Sequence, residues 1–248
     1  MAFSASTTRT HAVSDSVVND TLEQRLAFLR KVYTLFGASM VAWMGSALWV
    51  STNDKVLGMV MGVFGNGFLG LIIFMAALFG LLHLTRSSAA PINYIGLALF
   101  SVLEGAVTAP LIKYSLMATG GEGLGMTDPS NVVFQAFILT GLVFGGLTMY
   151  ALTTKRDFSY LRGALWMGFA LLFGIAILGM FFDSMLAINM GWGMSVGWVI
   201  LMGGFVLYDT QNIMKRYPSN MACAAAATLM IDFIIMFQRI LMLLSRRD

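Results

Sequence analysis

Two aspartates sit where a charge is costly. Asp209 lies in Phe205-Val206-Leu207-Tyr208-Asp209-Thr210-Gln211, and Asp232 lies in Leu229-Met230-Ile231-Asp232-Phe233-Ile234-Ile235. Both runs belong to long apolar stretches near the end of the chain. An ionised carboxylate at mid-bilayer costs roughly 2.5–3.5 kcal/mol on insertion scales. Each aspartate must therefore hold a proton, or face its counterpart, a cation or water. The two are 23 positions apart, and their stretches join at a turn near Pro218. Asp209 precedes that turn by 9 residues and Asp232 follows it by 14. At ~1.5 Å per residue the two depths differ by only ~7 Å, which helix tilt absorbs. The carboxyl groups can meet, and a pair in contact does not ionise independently but acts as a proton switch. The other reading satisfies each acid separately. Asp209 would then cap Gln211 and Asn212, and Asp232 would pair with Arg239, seven positions on along the same helical face.

A third acid, Glu104, falls near the middle of another apolar stretch. It is either a proton or cation site, or a protonated glutamate hydrogen-bonded to a facing helix. Arg86 closes an apolar stretch; it is a topology charge, or a latch that reaches an aspartate. His83 reads as an interfacial residue, because no His or Cys cluster has metal-ligand spacing. The 20 methionines are scattered through the apolar stretches and read as packing. Cys223, the single cysteine, allows no internal disulfide and reads as packing among alanines. There is no nucleotide-binding loop and no Ser-His-Asp arrangement, so neither an enzyme nor a resident cofactor is expected.

The elements that must position these side chains are membrane helices. Of 248 residues, 58% are hydrophobic and 11% charged, against ~25% charged in a soluble domain. Mean hydropathy is +0.80. The pI near 9.1 comes with too few charges to suggest nucleic acid, and the basic residues read as topology determinants. A span needs ~20 apolar residues. Seven are expected, at 30–51, 66–85, 91–114, 131–153, 162–182, 187–213 and 221–244. Residues 1–24 read as a polar tail, and 25–248 as one membrane domain. The Gly-rich stretch 57–67 reads as an interfacial loop or the start of the second span. Arg25, Arg30 and Lys31 place the N-terminus in the cytoplasm. Seven spans then put Arg246 and Arg247 outside, against the positive-inside tendency; a re-entrant last segment would return them. Gly141 and Gly145 form a small-residue pair expected to serve internal packing. Ala224 to Ala227 would let the last helix pack close to its neighbours.

With these residues in view, the chain resembles the Bax-inhibitor-one (transmembrane Bax inhibitor motif) family, in its bacterial form. The likeness is carried by Phe137-Ile138-Leu139-Thr140-Gly141 through Tyr150-Ala151-Leu152-Thr153-Thr154-Lys155-Arg156-Asp157-Phe158-Ser159, by Tyr208-Asp209-Thr210-Gln211, and by Asp232-Phe233-Ile234. It implies a seven-helix bundle with the last helix central, in a bacterial inner membrane. It also implies a pH-sensitive calcium leak whose sensor maps onto Asp209 and Asp232, and a latching arginine that maps onto Arg86. Bacterial relatives are further linked to a membrane-anchored protease.

Three functions compete. A channel would close when the aspartate pair holds a proton and would admit calcium to the carboxylate oxygens when it does not. A membrane regulator would bind a protease or other complex without conducting. An intramembrane aspartyl protease is disfavoured, because Leu229-Met230-Ile231 lacks a glycine to admit substrate backbone before Asp232.

Overall fold

The computed structural model describes residues 22–65, 67–87, 89–119, 131–179, 181–182 and 191–245. Among them are eight α-helices: α1 (Leu22–Thr52), α2 (Asp54–Gly65), α3 (Phe68–Thr85), α4 (Ile92–Thr119), α5 (Val132–Thr153), α6 (Leu161–Leu178), α7 (Trp192–Arg216) and α8 (Ala222–Leu244). All but α2 are long and apolar enough to cross a membrane. The molecule is an all-α, polytopic membrane protein. The expected tail 1–24 falls mostly outside the described residues, its last three positions opening α1. The 120–130 loop, Asp183 and the two terminal arginines also lie outside them.

The ends of the helices follow local chemistry. Asn131 caps α5, its side chain accepting from the Val133 amide at 2.9 Å. Pro218, which has no amide proton, follows immediately after α7 and its C-cap Tyr217. The Gly-rich stretch is a helix of its own. Asn53 Oδ1 accepts from the Val56 amide at 3.3 Å, starting α2 one residue after α1 ends. With 12 residues, α2 reaches only ~18 Å, too short to span, and it packs against α1, α3 and α4.

The last helix is the hub. Helix α8 touches α1, α3, α4, α5 and α7 and is the most buried of the seven spans. Its first turns, Ala222 to Ala227, are wholly buried, because side chains this small let neighbouring backbones approach. Immediately after Asp232, the Phe233 ring meets Phe36 and Trp43 of α1 and Phe137 and Phe144 of α5. Helix α6 is the outlier. It is the least buried span and holds to α7 through Trp166, Phe169, Trp198 and Phe205.

The expected Gly141–Gly145 packing seam is absent. A methyl group at either position would meet nothing within 4 Å, because α5 packs through Thr140, Phe144 and Thr148 instead. Close approach to a neighbouring helix backbone occurs at two other glycines. A Cβ at Gly105 of α4 would run into the Trp43 carbonyl oxygen of α1, and one at Gly96 would lie 2.7 Å from Leu84 Cβ of α3.

Candidate functional site

Asp209 belongs to the buried face of α7. Met202, Phe205, Val206 and Ile213 flank it at three- and four-residue intervals and are buried, so helical period alone turns Asp209 inward. Asp232 lies in the equivalent row of α8, with Leu229 and Met236, and is 4% exposed. Helices α7 and α8 pack together, and the two carboxyl groups come within hydrogen-bonding reach of each other. No hydrogen-bond donor among the described residues reaches Asp232 Oδ2. Two carboxylates in contact repel, whereas one proton between them forms an O–H···O bond.

The separate partners weighed for these acids are engaged elsewhere. The Arg239 guanidinium lies over the Trp198 ring of α7, 5.0 Å from its centroid. Arg86 follows α3, its amide bonded back to the His83 carbonyl at 3.1 Å. Its side chain is exposed, and it forms no ion pair with either aspartate among the described residues. It does share a neighbourhood with them. The Tyr217 phenol, just past α7, lies within electrostatic reach of Asp209, Arg86 and Asp232. Burial pushes that phenol up from its ordinary pKa, against the opposing hydrogen bond from Thr228.

Gln211 does not serve Asp209 either. Its side chain clasps the α5–α6 loop, taking a hydrogen bond from the Phe158 amide at 3.0 Å and giving one to the Arg156 carbonyl at 2.6 Å. Arg216 Nη2 adds a bond to Ser159 Oγ at 2.9 Å. Asp157 folds the loop locally by accepting from the Ser159 amide and hydroxyl at 3.0 and 2.6 Å. Those bonds hold the Asp157 carboxyl below its usual range, with Lys215 and Arg216 adding to the effect. Sequence reasoning quoted both motifs of this clasp without joining them. Their one available signal was an adjacent pair of amides, Gln211 and Asn212, near the end of an apolar helix.

Glu104 is 8% exposed and does not join the aspartates. It sits on α4, one turn from a polar node at Thr108. The Thr108 hydroxyl donates to the Glu104 carbonyl at 2.8 Å and accepts from Trp43 Nε1 of α1 at 3.3 Å and Gln238 Nε2 of α8 at 3.1 Å. That node was also missed. Among the described residues no group of three His, Cys, Asp or Glu side chains could hold a metal ion. His83 is exposed and Cys223 buried.

Residues 25–248 match the family model for inhibitor of apoptosis-promoting Bax1. The chain belongs to the Bax inhibitor family. It is similar to an uncharacterized protein of Campylobacter jejuni, 28% identical over 245 residues that cover 95% of each chain. It is similar to Bax inhibitor 1 of Schizosaccharomyces pombe, 30% identical over 234 residues, 89% of this chain and 77% of that one. Protein lifeguard 4 of the mouse is 30% identical over 239 residues, 92% of this chain and 89% of that one. The family match takes in Asp209, Asp232 and the clasp, so both features lie within the family's own domain rather than in an appended segment.

Proposed function

We propose that this Bax inhibitor family protein is a pH-sensitive calcium leak channel, gated by protonation of the Asp209–Asp232 pair. The observation that carries the reading is the contact between two carboxyl groups of adjacent helices inside a membrane bundle. With one proton shared, the pair is a neutral-plus-charged couple that draws α7 and α8 together. With none, repulsion drives the helices apart and exposes carboxylate oxygens to a hard cation. Calcium takes 6–8 oxygens and the pair offers fewer, so the ion keeps part of its water and passes through rather than lodging. No covalent reaction and no resident cofactor enter this scheme.

The clustering of Arg25, Arg30, Lys31, Arg86, Lys155, Arg156, Arg162, Lys215 and Arg216 at one end of the bundle supports a bacterial inner-membrane protein with that end, and the N-terminus, in the cytoplasm. A reporter active only in the cytoplasm, fused ahead of Arg25, should be active; an inactive, folded fusion would reverse the orientation.

Purified protein in calcium-dye-loaded liposomes tests the channel. Flux should rise with pH in the wild type. In Asp209→Asn and Asp232→Asn, flux at the higher pH should fall by about tenfold or more, the factor for 1.4 kcal/mol, and lose its pH dependence. Wild-type pH behaviour in both variants would refute the reading. Flat flux in every protein, with a membrane-anchored protease co-purifying, would instead favour a non-conducting regulator.

A further inference from the structure

Helix α4 carries a second row of buried polar groups, on which the aspartate reading makes no demand. Asn93, Ser101, Glu104, Thr108 and Ser115 are all buried. At 3.6 residues per turn they fall within an arc of roughly 80°, a single face of one helix. From Asn93 to Ser115 the row covers about 33 Å at ~1.5 Å per residue, against ~30 Å for a bilayer's hydrocarbon core. A polar face of that length, buried among helices rather than turned to water, is unusual for a span whose interior neighbours are apolar.

The row lies between α4 and α8. Ser101 Oγ contacts Met230 Sδ at 3.5 Å, and Thr108 accepts from Gln238 at 3.1 Å. These contacts place the row on the Met230–Gln238 side of α8. Asp232 is two positions from Met230, roughly 200° round the helix. The row and the aspartate pair therefore occupy different sides of the central helix.

Two of its members have no partner. No hydrogen bond or ion pair reaches the Glu104 carboxyl group from the described residues. Thr108 is committed to Trp43, Gln238 and the Glu104 carbonyl. The Ser115 hydroxyl is fully buried and also unpartnered. No cation and no hydrogen-bond donor among the described residues is placed to hold Glu104 permanently charged. The charged groups of the surrounding helices face elsewhere. Arg25, Arg30 and Lys31 of α1 lie at its first turns, with Lys31 over the Tyr94 ring at 5.7 Å, beside Asn93. On α3, His83 and Arg86 are at the end and exposed. At the other end Lys113 pairs with Asp54 of α2 at 3.5 Å, near Ser115. Arg239 of α8 lies over Trp198. Charge thus marks both mouths of the row, and an unpaired acid marks its middle.

We propose that Glu104 is a proton-binding site at the midpoint of a proton path along α4, separate from the Asp209–Asp232 pair. A proton entering from one mouth adds to a carboxylate oxygen of Glu104 and leaves toward the other, so that nothing is oxidised and one positive charge crosses. Leu97 and Ile112 interrupt the row on the same face and are buried. Apolar constrictions of this kind pass charge only during transient wetting, so the path is a slow leak that excludes hydrated metal ions.

The test uses the full chain in calcium-free liposomes containing a pH-sensitive dye, with potassium and valinomycin to balance charge. After a pH step, wild-type vesicles should equilibrate at least tenfold faster than protein-free ones. Glu104→Gln should return the rate to the protein-free level, and Glu104→Asp should retain part of it. Ser115→Ala breaks no hydrogen bond, so its melting temperature should match the wild type while its proton flux falls at least threefold; this arm holds even if Glu104→Gln fails to fold. Wild-type flux equal to that of empty vesicles, or wild-type rates in folded Glu104→Gln or in Ser115→Ala, would overturn the proposal. Proton flux that vanished with Asp232→Asn would overturn its separateness. Calcium flux, read in other vesicles, reports on the aspartate pair alone.

Discussion

Replacing Gln211 by Leu should loosen the α5–α6 loop far more than it lowers the stability of the bundle. The Gln211 amide bridges the Phe158 N–H at 3.0 Å and the Arg156 carbonyl at 2.6 Å. Phe158 is 6% exposed, so its amide has no ready access to water once the bridge is gone. Leaving such a donor unpaired costs about 1–3 kcal/mol. The Arg156 carbonyl belongs to an exposed residue and can turn to solvent, so it adds little. With about 2 kcal/mol removed from the clasped state, the open loop becomes about 30-fold more populated. Local opening of that kind is what a protease samples when opening is faster than cleavage. Trypsin should therefore cut after Lys155 or Arg156 about 30-fold faster in Gln211→Leu than in the wild type, in detergent or in liposomes. Gln211→Glu keeps an acceptor for the Phe158 N–H but loses the donor to Arg156, and should fall between the two. Cleavage in the Leu variant within twofold of wild type would refute the reasoning, because the bridge would then carry no load.

Other substitutions test other joints. Gly105→Ala puts a methyl group against the α1 backbone at Trp43 and 2.8 Å from Ser46 Cβ, and should destabilise by about 1–3 kcal/mol, read as a lower melting temperature in detergent; Gly141→Ala, open on all sides, should not. Arg239→Met removes the cation from the Trp198 face and should lose about 0.5–2 kcal/mol with a change in tryptophan fluorescence; an unchanged spectrum would mean the two side chains do not meet. Because its folded-state pKa is lowered, Asp157 contributes stability above its unfolded pKa and loses it as pH falls through the folded value. The loop's tethering should weaken on acidification over that window, read by amide exchange at Ser159 against an Asp157→Asn reference, which should show no such window.

The apolar length of each stretch was enough to place seven spans, because a bilayer leaves a helix little choice but to run its full width. Boundaries shifted most at α1, which begins at Leu22 among polar residues that no hydropathy argument would include. Helix α2 was legible only as a break in pattern; what makes it a helix is the Asn53 cap, a one-residue signal. Packing was harder to read. Gly141 and Gly145 have the spacing of a helix contact yet face open space, while Gly96 and Gly105, nine positions apart, make the tight approaches to a neighbouring backbone. In a membrane a small residue signals closeness only if its face is turned inward, and nearly uniform hydropathy hides which face that is. Of the site, Asp209 and Asp232 stood out because charge in an apolar run is rare. Gln211 and Thr108 did not, because an amide and a hydroxyl are cheap enough in a helix to pass as neutral.

The clasp and the aspartate contact act on the same helix. Gln211 and Asp209 are two residues apart on α7, about 3 Å along its axis and roughly 200° around it. One side of the helix is thus held to the α5–α6 loop while the other is pressed to α8. Lipid supplies no hydrophobic force to drive helices together, so the angle at which α7 presents Asp209 must be fixed by such polar ties and by van der Waals fit. Parting the two carboxyl groups by rotating α7 would have to strain the Gln211 bridge, whereas parting them by a rigid shift of α7 with its loop would leave it intact. The loop's basic residues, Lys155 and Arg156, are exposed at the end of that lever. The Gln211 bridge and the Arg216–Ser159 bond together tie that loop to the helix that carries Asp209.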